Sequence, residues 1–198
     1  MKFASFTILI SISLCVSICC PGEDDYVFNN TIIKNDTIIQ IENNSTNFQE
    51  DDTIYISTML ENEQVSTNAS TVYLTDFVSD SPDSFYYYYI NLYKETAYGT
   101  YALIELNENT LEIIDGETFI DYQSLIVRCD LDSSVFRNKF GIKLLEPGTY
   151  YLSGSLNYNT EVAEIIQIST SYSGNQGITI YSKIMNSGDD GRYYFTVN

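Results

Sequence analysis

The chain has 198 residues, with 27 Asp and Glu against 9 Lys and Arg, no His, no Trp and a formal net charge of −18 at pH 7. Such acidity repels phosphate backbones and anionic surfaces, which argues against nucleic-acid binding and against compact phosphate or acidic-polymer sites. Without histidine the usual Ser-His and Cys-His catalytic arrangements cannot be built, and the length allows one moderate domain, or two small ones, with a true core.

Lys2 supplies one positive charge, and Phe3 to Ile18 (FASFTILISISLCVSI) carries only apolar and hydroxyl residues. A basic start followed by about 7–15 apolar residues is the pattern of an export signal, whereas a spanning helix needs about 20. Acidic residues follow soon after Cys20, so the apolar stretch ends there. Residues 1–19 are therefore expected to be a signal peptide.

Val16-Ser17-Ile18-Cys19 and Ser17-Ile18-Cys19-Cys20 both resemble a bacterial lipobox, in which a cysteine follows a small or aliphatic triplet. The resemblance implies a thioether-linked diacylglycerol on that cysteine, cleavage before it, and N-acylation by a palmitate-type chain. Cys20, preceded by the small Cys19, is the expected lipidation site; Cys19, preceded by Ile18, is the alternative. Each buried CH₂ contributes about 0.8 kcal/mol, so two or three chains anchor firmly, and the membrane is an expected partner through them. The following Pro21-Gly22-Glu23-Asp24-Asp25 resembles the acidic cluster of Bacteroidota outer-membrane lipoproteins. That likeness implies an outer-membrane location and display at the cell surface. Residues 20–35 are then expected to form a flexible acidic tether, and 36–198 the folded domain.

In the body, runs of β-branched and aromatic residues alternate with Asn, Asp, Gly and Ser clusters, the signature of strands and turns. Strands are expected near Thr37–Ile41, Thr53–Leu60, Thr71–Val78, Phe85–Tyr93, Thr100–Leu106, Thr118–Cys129, Phe136–Leu145, Thr149–Asn157, Glu164–Thr170, Ile178–Ile184 and Arg192–Val197. No stretch shows an i, i+3, i+4 apolar stripe over three turns, although short helical turns fit around Asp130–Val135. Glu146-Pro147-Gly148-Thr149 reads as a type II turn. Gly174-Asn175-Gln176-Gly177 and Ser187-Gly188-Asp189-Asp190-Gly191 read as hairpin loops. The expected class is all-β, an antiparallel β-sandwich of immunoglobulin-like form. The PGTYYL and GRYYFTV strands resemble those of such modules, a likeness of fold that carries no function.

Of the four cysteines only Cys129 belongs to the body, where SLIVRCDL reads as a buried strand and Cys129 as a small apolar residue. The most conspicuous stretch is Phe85-Tyr86-Tyr87-Tyr88-Tyr89-Ile90-Asn91-Leu92-Tyr93. As a strand it sends Tyr86, Tyr88, Ile90 and Leu92 to the core. Tyr87, Tyr89 and Tyr93, with Phe85 and Asn91, line the opposite face and are the candidate binding residues. Aromatic pairs also stabilise sheets, so a purely structural role competes with binding.

Asp80-Ser81-Pro82-Asp83-Ser84 and Asp189-Asp190-Gly191 offer oxygen ligands without EF-hand spacing, and zinc lacks its His and Cys partners; no metal and no cofactor is expected. Nucleotide chemistry lacks its Gly-rich loop. The expected function is a non-catalytic module binding a glycan or an envelope protein. A structural or assembly subunit, with Arg192–Val197 as a displaceable terminal strand, is the alternative. A carboxylate glycosidase is the lesser one.

Overall fold

Alternation of apolar and polar side chains, period two, organises nearly every segment. The computed structural model describes residues 29–78, 85–154, 164–170 and 176–198. Within them the chain forms β1 (Asn29–Lys34), β2 (Ile39–Ile41), β3 (Asn47–Phe48), β4 (Thr53–Glu61), β5 (Glu63–Val65), β6 (Thr71–Tyr73), β7 (Phe85–Glu95) and β8 (Tyr101–Leu103). Then follow β9 (Leu111–Asp115), β10 (Glu117–Asp121), β11 (Ser124–Asp132), β12 (Val135–Lys143), β13 (Gly148–Gly154), β14 (Ile166–Thr170), β15 (Gln176–Ser182) and β16 (Tyr193–Val197). Helical structure among these residues is limited to short 3₁₀ turns at Glu42–Asn44, Leu74–Phe77 and Glu108–Thr110.

The all-β class expected from the sequence is what the structure shows. Among the described residues 14 strands form a single curled, mixed sheet, eight of them along the path β1–β15–β14–β7–β11–β12–β4–β2 and the others branching from it, with β5 and β6 forming a separate pair. Two ladders are parallel, β1 with β15 and β3 with β16. An immunoglobulin-like arrangement is not established by this pairing, which joins the strands continuously instead of dividing them into two antiparallel sheets.

β7 is the hub. It pairs antiparallel with β11, β13, β14 and β8. Its inward side chains Tyr86, Tyr88 and Ile90 are fully buried, as the alternation predicts, and join Ile54, Ile56 and Leu60 of β4 and Phe136 and Phe140 of β12 in one core. Burying hydroxyls there requires partners. Tyr86 donates to the Leu74 carbonyl at 3.0 Å, and the Tyr88 hydroxyl lies 2.7 Å from Thr58 Oγ1.

Several expectations change. The strand expected over Thr118–Cys129 is two, because the chain reverses between Asp121 and Ser124 with Tyr122 at φ 55°. The helical turn expected at Asp130–Val135 is a second tight reversal joining β11 to β12, with Ser133 at φ 60°. Ser187–Gly191 turns through a Gly191 N–H to Gly188 carbonyl bond, yet it closes no hairpin, since β15 pairs with β1 and β14 while β16 pairs with β13 and β3. β14 and β15 do pair antiparallel, and residues 171–175 of the loop expected between them lie outside the described residues. Gly148 takes φ 150° as the first residue of β13, and that corner is tied by Tyr150, whose hydroxyl donates to the Glu146 carbonyl at 2.6 Å. A tyrosine bonded to the backbone just upstream is a recurrent device at strand corners. Finally, β1 begins at Asn29, inside the span expected to be tether, so strand structure starts earlier than the sequence suggests.

One polar residue occupies an inward position on β12. Asn138 follows Phe136 and precedes Phe140 in the core-facing series and is 2% exposed. β4 runs along all of β12, and along the other edge the partner changes from β11 to β9 at this residue. Where these strands part, Asn138 Nδ2 donates to the carbonyls of Glu117 and Arg128.

Candidate functional site

The outward row of β7 divides into an open half and a closed half. Phe85, Tyr87 and Tyr89 are half-buried. Their rings meet edge to face, Phe85 to Tyr87 at 6.0 Å and Tyr87 to Tyr89 at 6.1 Å. Register sets Arg128 of β11 opposite Tyr87 and Ile126 opposite Tyr89, while Phe119 of β10 lies opposite Ile126. The Arg128 guanidinium stands 4.0 Å over the Phe85 ring and is held by Glu117 at 3.1 Å and Asp130 at 2.9 Å. The open half is thus an aromatic and aliphatic face of the sheet with the Arg128 cation held beside it, and Phe119 is 48% exposed on it.

Tyr93 does not belong to that surface. It shares the parity of Tyr87 and Tyr89, but it is 8% exposed because β13 sets Tyr151 directly opposite and the two rings stack at 4.6 Å. Tyr101 and Tyr194 close around Tyr151 at 4.8 and 5.6 Å. The Arg192 guanidinium lies 4.7 Å over the Tyr151 ring. Arg192 donates from Nε and Nη2 to Oε1 of Glu164 at 3.0 and 2.5 Å, while Glu164 Oε2 is buried without a hydrogen bond. The carboxylate beside Arg192 raises the guanidinium pKa, and burial above all pushes the Tyr151 phenol up. This is packing chemistry, in which a partly exposed cation and a nearly buried anion seal an aromatic cluster.

Sequence reasoning missed a concave feature elsewhere on the sheet. On the outer face of β2, β4 and β12, Gln40, Ser57 and Lys139 stand in line across three strands, with Tyr55 one step along β4. The Glu42–Asn44 turn rises beside them, with Asn43 at φ 58° and Asn44 at φ 49°. Together they line a cleft of about 240 Å³. Gly141 stands opposite Tyr55, where a Cβ would come within 2.8 Å of the Tyr55 ring and 2.5 Å of Thr53, so glycine lets the ring lie close against the sheet. Tyr55 donates to Glu112 Oε2 at 2.8 Å, and that bond to a carboxylate holds the phenol protonated beyond its ordinary range. Lys139 Nζ is 5.5 Å from the Tyr55 ring centroid and 3.4 Å from Glu42. The available signals were a glycine inside a strand and the Asn43-Asn44 doublet after a short strand.

Other expected site residues resolve simply. Cys19, Cys20 and the Asp80–Ser84 loop lie outside the described residues. Asp190 is occupied in shaping its own loop, accepting from the Arg192 N–H at 3.1 Å and the Tyr194 hydroxyl at 2.8 Å. Among the described residues no cluster of three or more Cys, Asp and Glu could hold a metal ion, and no helix is long and apolar enough to cross a membrane. Cys129 is fully buried and its thiol is pushed up by burial, which deprives it of nucleophilic character at neutral pH. Among the described residues Glu42 is the one carboxylate lining the Tyr55 cleft, where a glycosidase would place two facing acids.

No protein-family model matches the chain, and neither a curated protein nor a solved structure matches it.

Proposed function

We propose that the chain is a lipid-anchored protein of the bacterial outer membrane, held by acyl groups on Cys20 or Cys19, whose β body is a non-catalytic binding module for an envelope protein. The observation that carries the binding part is the row of Phe85, Tyr87 and Tyr89 beside the pinned Arg128. Tyrosine and arginine contribute disproportionately to protein interfaces, and a rigid sheet presents them with little conformational entropy left to lose.

The anchor is tested by the intact mass of protein taken from its native membrane, together with protease accessibility on whole cells. An unmodified, soluble product would overturn it. The binding face is tested by placing a photo-crosslinking residue at Tyr89 and, separately, at the remote and exposed Tyr98. A discrete adduct from position 89 alone supports the reading; equal or absent adducts overturn it.

An assembly role is favoured by a different observation. Among the described strands β10 pairs only with β11 and β9 only with β12, and Ile113, Ile114 and Phe119 on them are about half exposed. Such edges accept an added strand. The terminal strand β16 is less suited to donation, being hydrogen-bonded to β13 and to β3, with Tyr193, Phe195 and Val197 buried.

A further inference from the structure

The chemistry of the Tyr55 cleft selects a ligand class by elimination and by fit. Its two charges cancel, since Lys139 faces Glu42 at 3.4 Å. An anion or a cation entering would have to compete with that pair, and a phosphorylated ligand would also meet the field of a strongly acidic protein. A purely apolar ligand would strip water from the Gln40, Asn43 and Ser57 side chains and return no hydrogen bonds.

What remains uncommitted is informative. Among the described residues neither the Ser57 hydroxyl nor the Asn43 amide makes a side-chain hydrogen bond, while Gln40 uses its Nε2 on the Thr37 carbonyl and keeps its own carbonyl oxygen. Donors and acceptors thus stand beside an aromatic ring, spaced over one small concavity. The wall is held in place: Asn186 donates to Asn44 Oδ1 at 2.8 Å and Tyr193 donates to the Ser45 carbonyl at 3.1 Å. The floor is held too, by the Tyr55 bond to Glu112. A pre-formed site loses little free energy to ordering when it binds. The volume falls below the ~300–1,000 Å³ of drug-sized sites, which matches one ring of a polyhydroxylated molecule.

We infer that the cleft between the Glu42–Asn44 turn and Tyr55 binds a single neutral sugar residue, with the pyranose C–H face against Tyr55 and its hydroxyls on Ser57, Asn43, Gln40 and the paired Glu42 and Lys139. The site lies on strands remote in the sheet order from the β7 face, so it stands or falls independently of the protein-docking reading.

The test is saturation-transfer difference NMR on the full-length protein in detergent, with methyl glycosides of neutral hexoses and of N-acetylhexosamines as probes and glucuronate and choline as the anionic and cationic controls. At least one neutral glycoside receives saturation, and the charged controls receive none. Asn43→Ala and Tyr55→Ala each weaken that binding about tenfold or more, while Tyr98→Ala, at an exposed position outside both sites, leaves it unchanged. Asn43 is exposed and outside the sheet, so its variant decides the matter if Tyr55→Ala fails to fold. Absence of transfer to every neutral glycoside, retention of full affinity in Asn43→Ala, or preference for a charged control each overturns the inference.

Discussion

Asn138 Nδ2 donates to the Arg128 carbonyl at 2.8 Å, across the point where β11 leaves β12. The same nitrogen reaches the Glu117 carbonyl at 2.9 Å and Thr118 Oγ1 at 3.2 Å. A core position in an otherwise apolar series is given to an amide because the parting strands expose backbone acceptors there. Leaving a buried polar group unpaired costs about 1–3 kcal/mol. Asn138→Leu is therefore expected to lower unfolding stability by at least about 2 kcal/mol, since more than one acceptor loses its partner. Gly116→Ala should act in the same direction: φ is 72°, and the added Cβ would stand 2.8 Å from Asn138 Nδ2. Urea titration measures both, and wild-type midpoints would contradict the account.

The two faces of β7 should respond unequally to truncation. Tyr88 is fully buried and bonded to Thr58, so Tyr88→Ala leaves a cavity and is expected to cost about 3–5 kcal/mol. Tyr87→Ala and Tyr89→Ala remove half-buried cross-strand contacts of about 0.2–1 kcal/mol each. Thermal unfolding of the three variants gives the order, and a Tyr87→Ala loss equal to that of Tyr88→Ala would mean that the outward row is core.

Arg192 and Glu164 should be strongly coupled. Removing Arg192 leaves a carboxylate that is 8% exposed without its partner, whereas Glu164→Gln removes the charge itself. Breaking a buried pair costs about 3–5 kcal/mol, and the partial exposure of Arg192 reduces this to about 1–3 kcal/mol through solvent screening. Arg192→Ala is thus expected to be the more damaging single change, with little further loss when Glu164→Gln is added. A double-mutant cycle reads the coupling directly, and additive effects would refute it.

Alkali should destabilise the fold. Burial raises the phenols of Tyr86, Tyr88 and Tyr151 and the thiol of Cys129 above their ordinary values. In the unfolded chain the thiol ionises near about 8.5 and phenols near about 10. The unfolded state therefore releases protons that the native state keeps, so it binds fewer protons and stability falls as pH rises. These groups contribute nothing to pH dependence at neutrality, and the loss begins above about pH 8.5 and steepens above about 10. Denaturant midpoints measured from pH 7 to 11 check the sign; a flat profile would contradict it. In the same series Cys129 should react with a thiol reagent only on unfolding.

Local features were legible in the residues alone. Side chains alternate across a strand with period two, so Tyr86, Tyr88, Ile90 and Leu92 were assigned to the buried face of their strand before any strand was paired. The all-β class and most strand positions were legible for the same reason. Two of the tight reversals were not, because Tyr122 and Ser133 adopt positive φ without the glycine that usually announces it.

Features that depend on partners distant in the chain came into view only with the assembled sheet. The parallel union of β1 with β15, the placement of Tyr151 over Tyr93 and the meeting of Glu42 with Lys139 are all set by register between remote strands. Alternation specifies which way a side chain points, and it carries no information on what the neighbouring strand places beside it. That is why Tyr87 and Tyr93, equivalent in pattern, ended one on a surface and the other beneath a stacked ring, and why the Tyr55 cleft emerged only once three strands and a 3₁₀ turn were assembled.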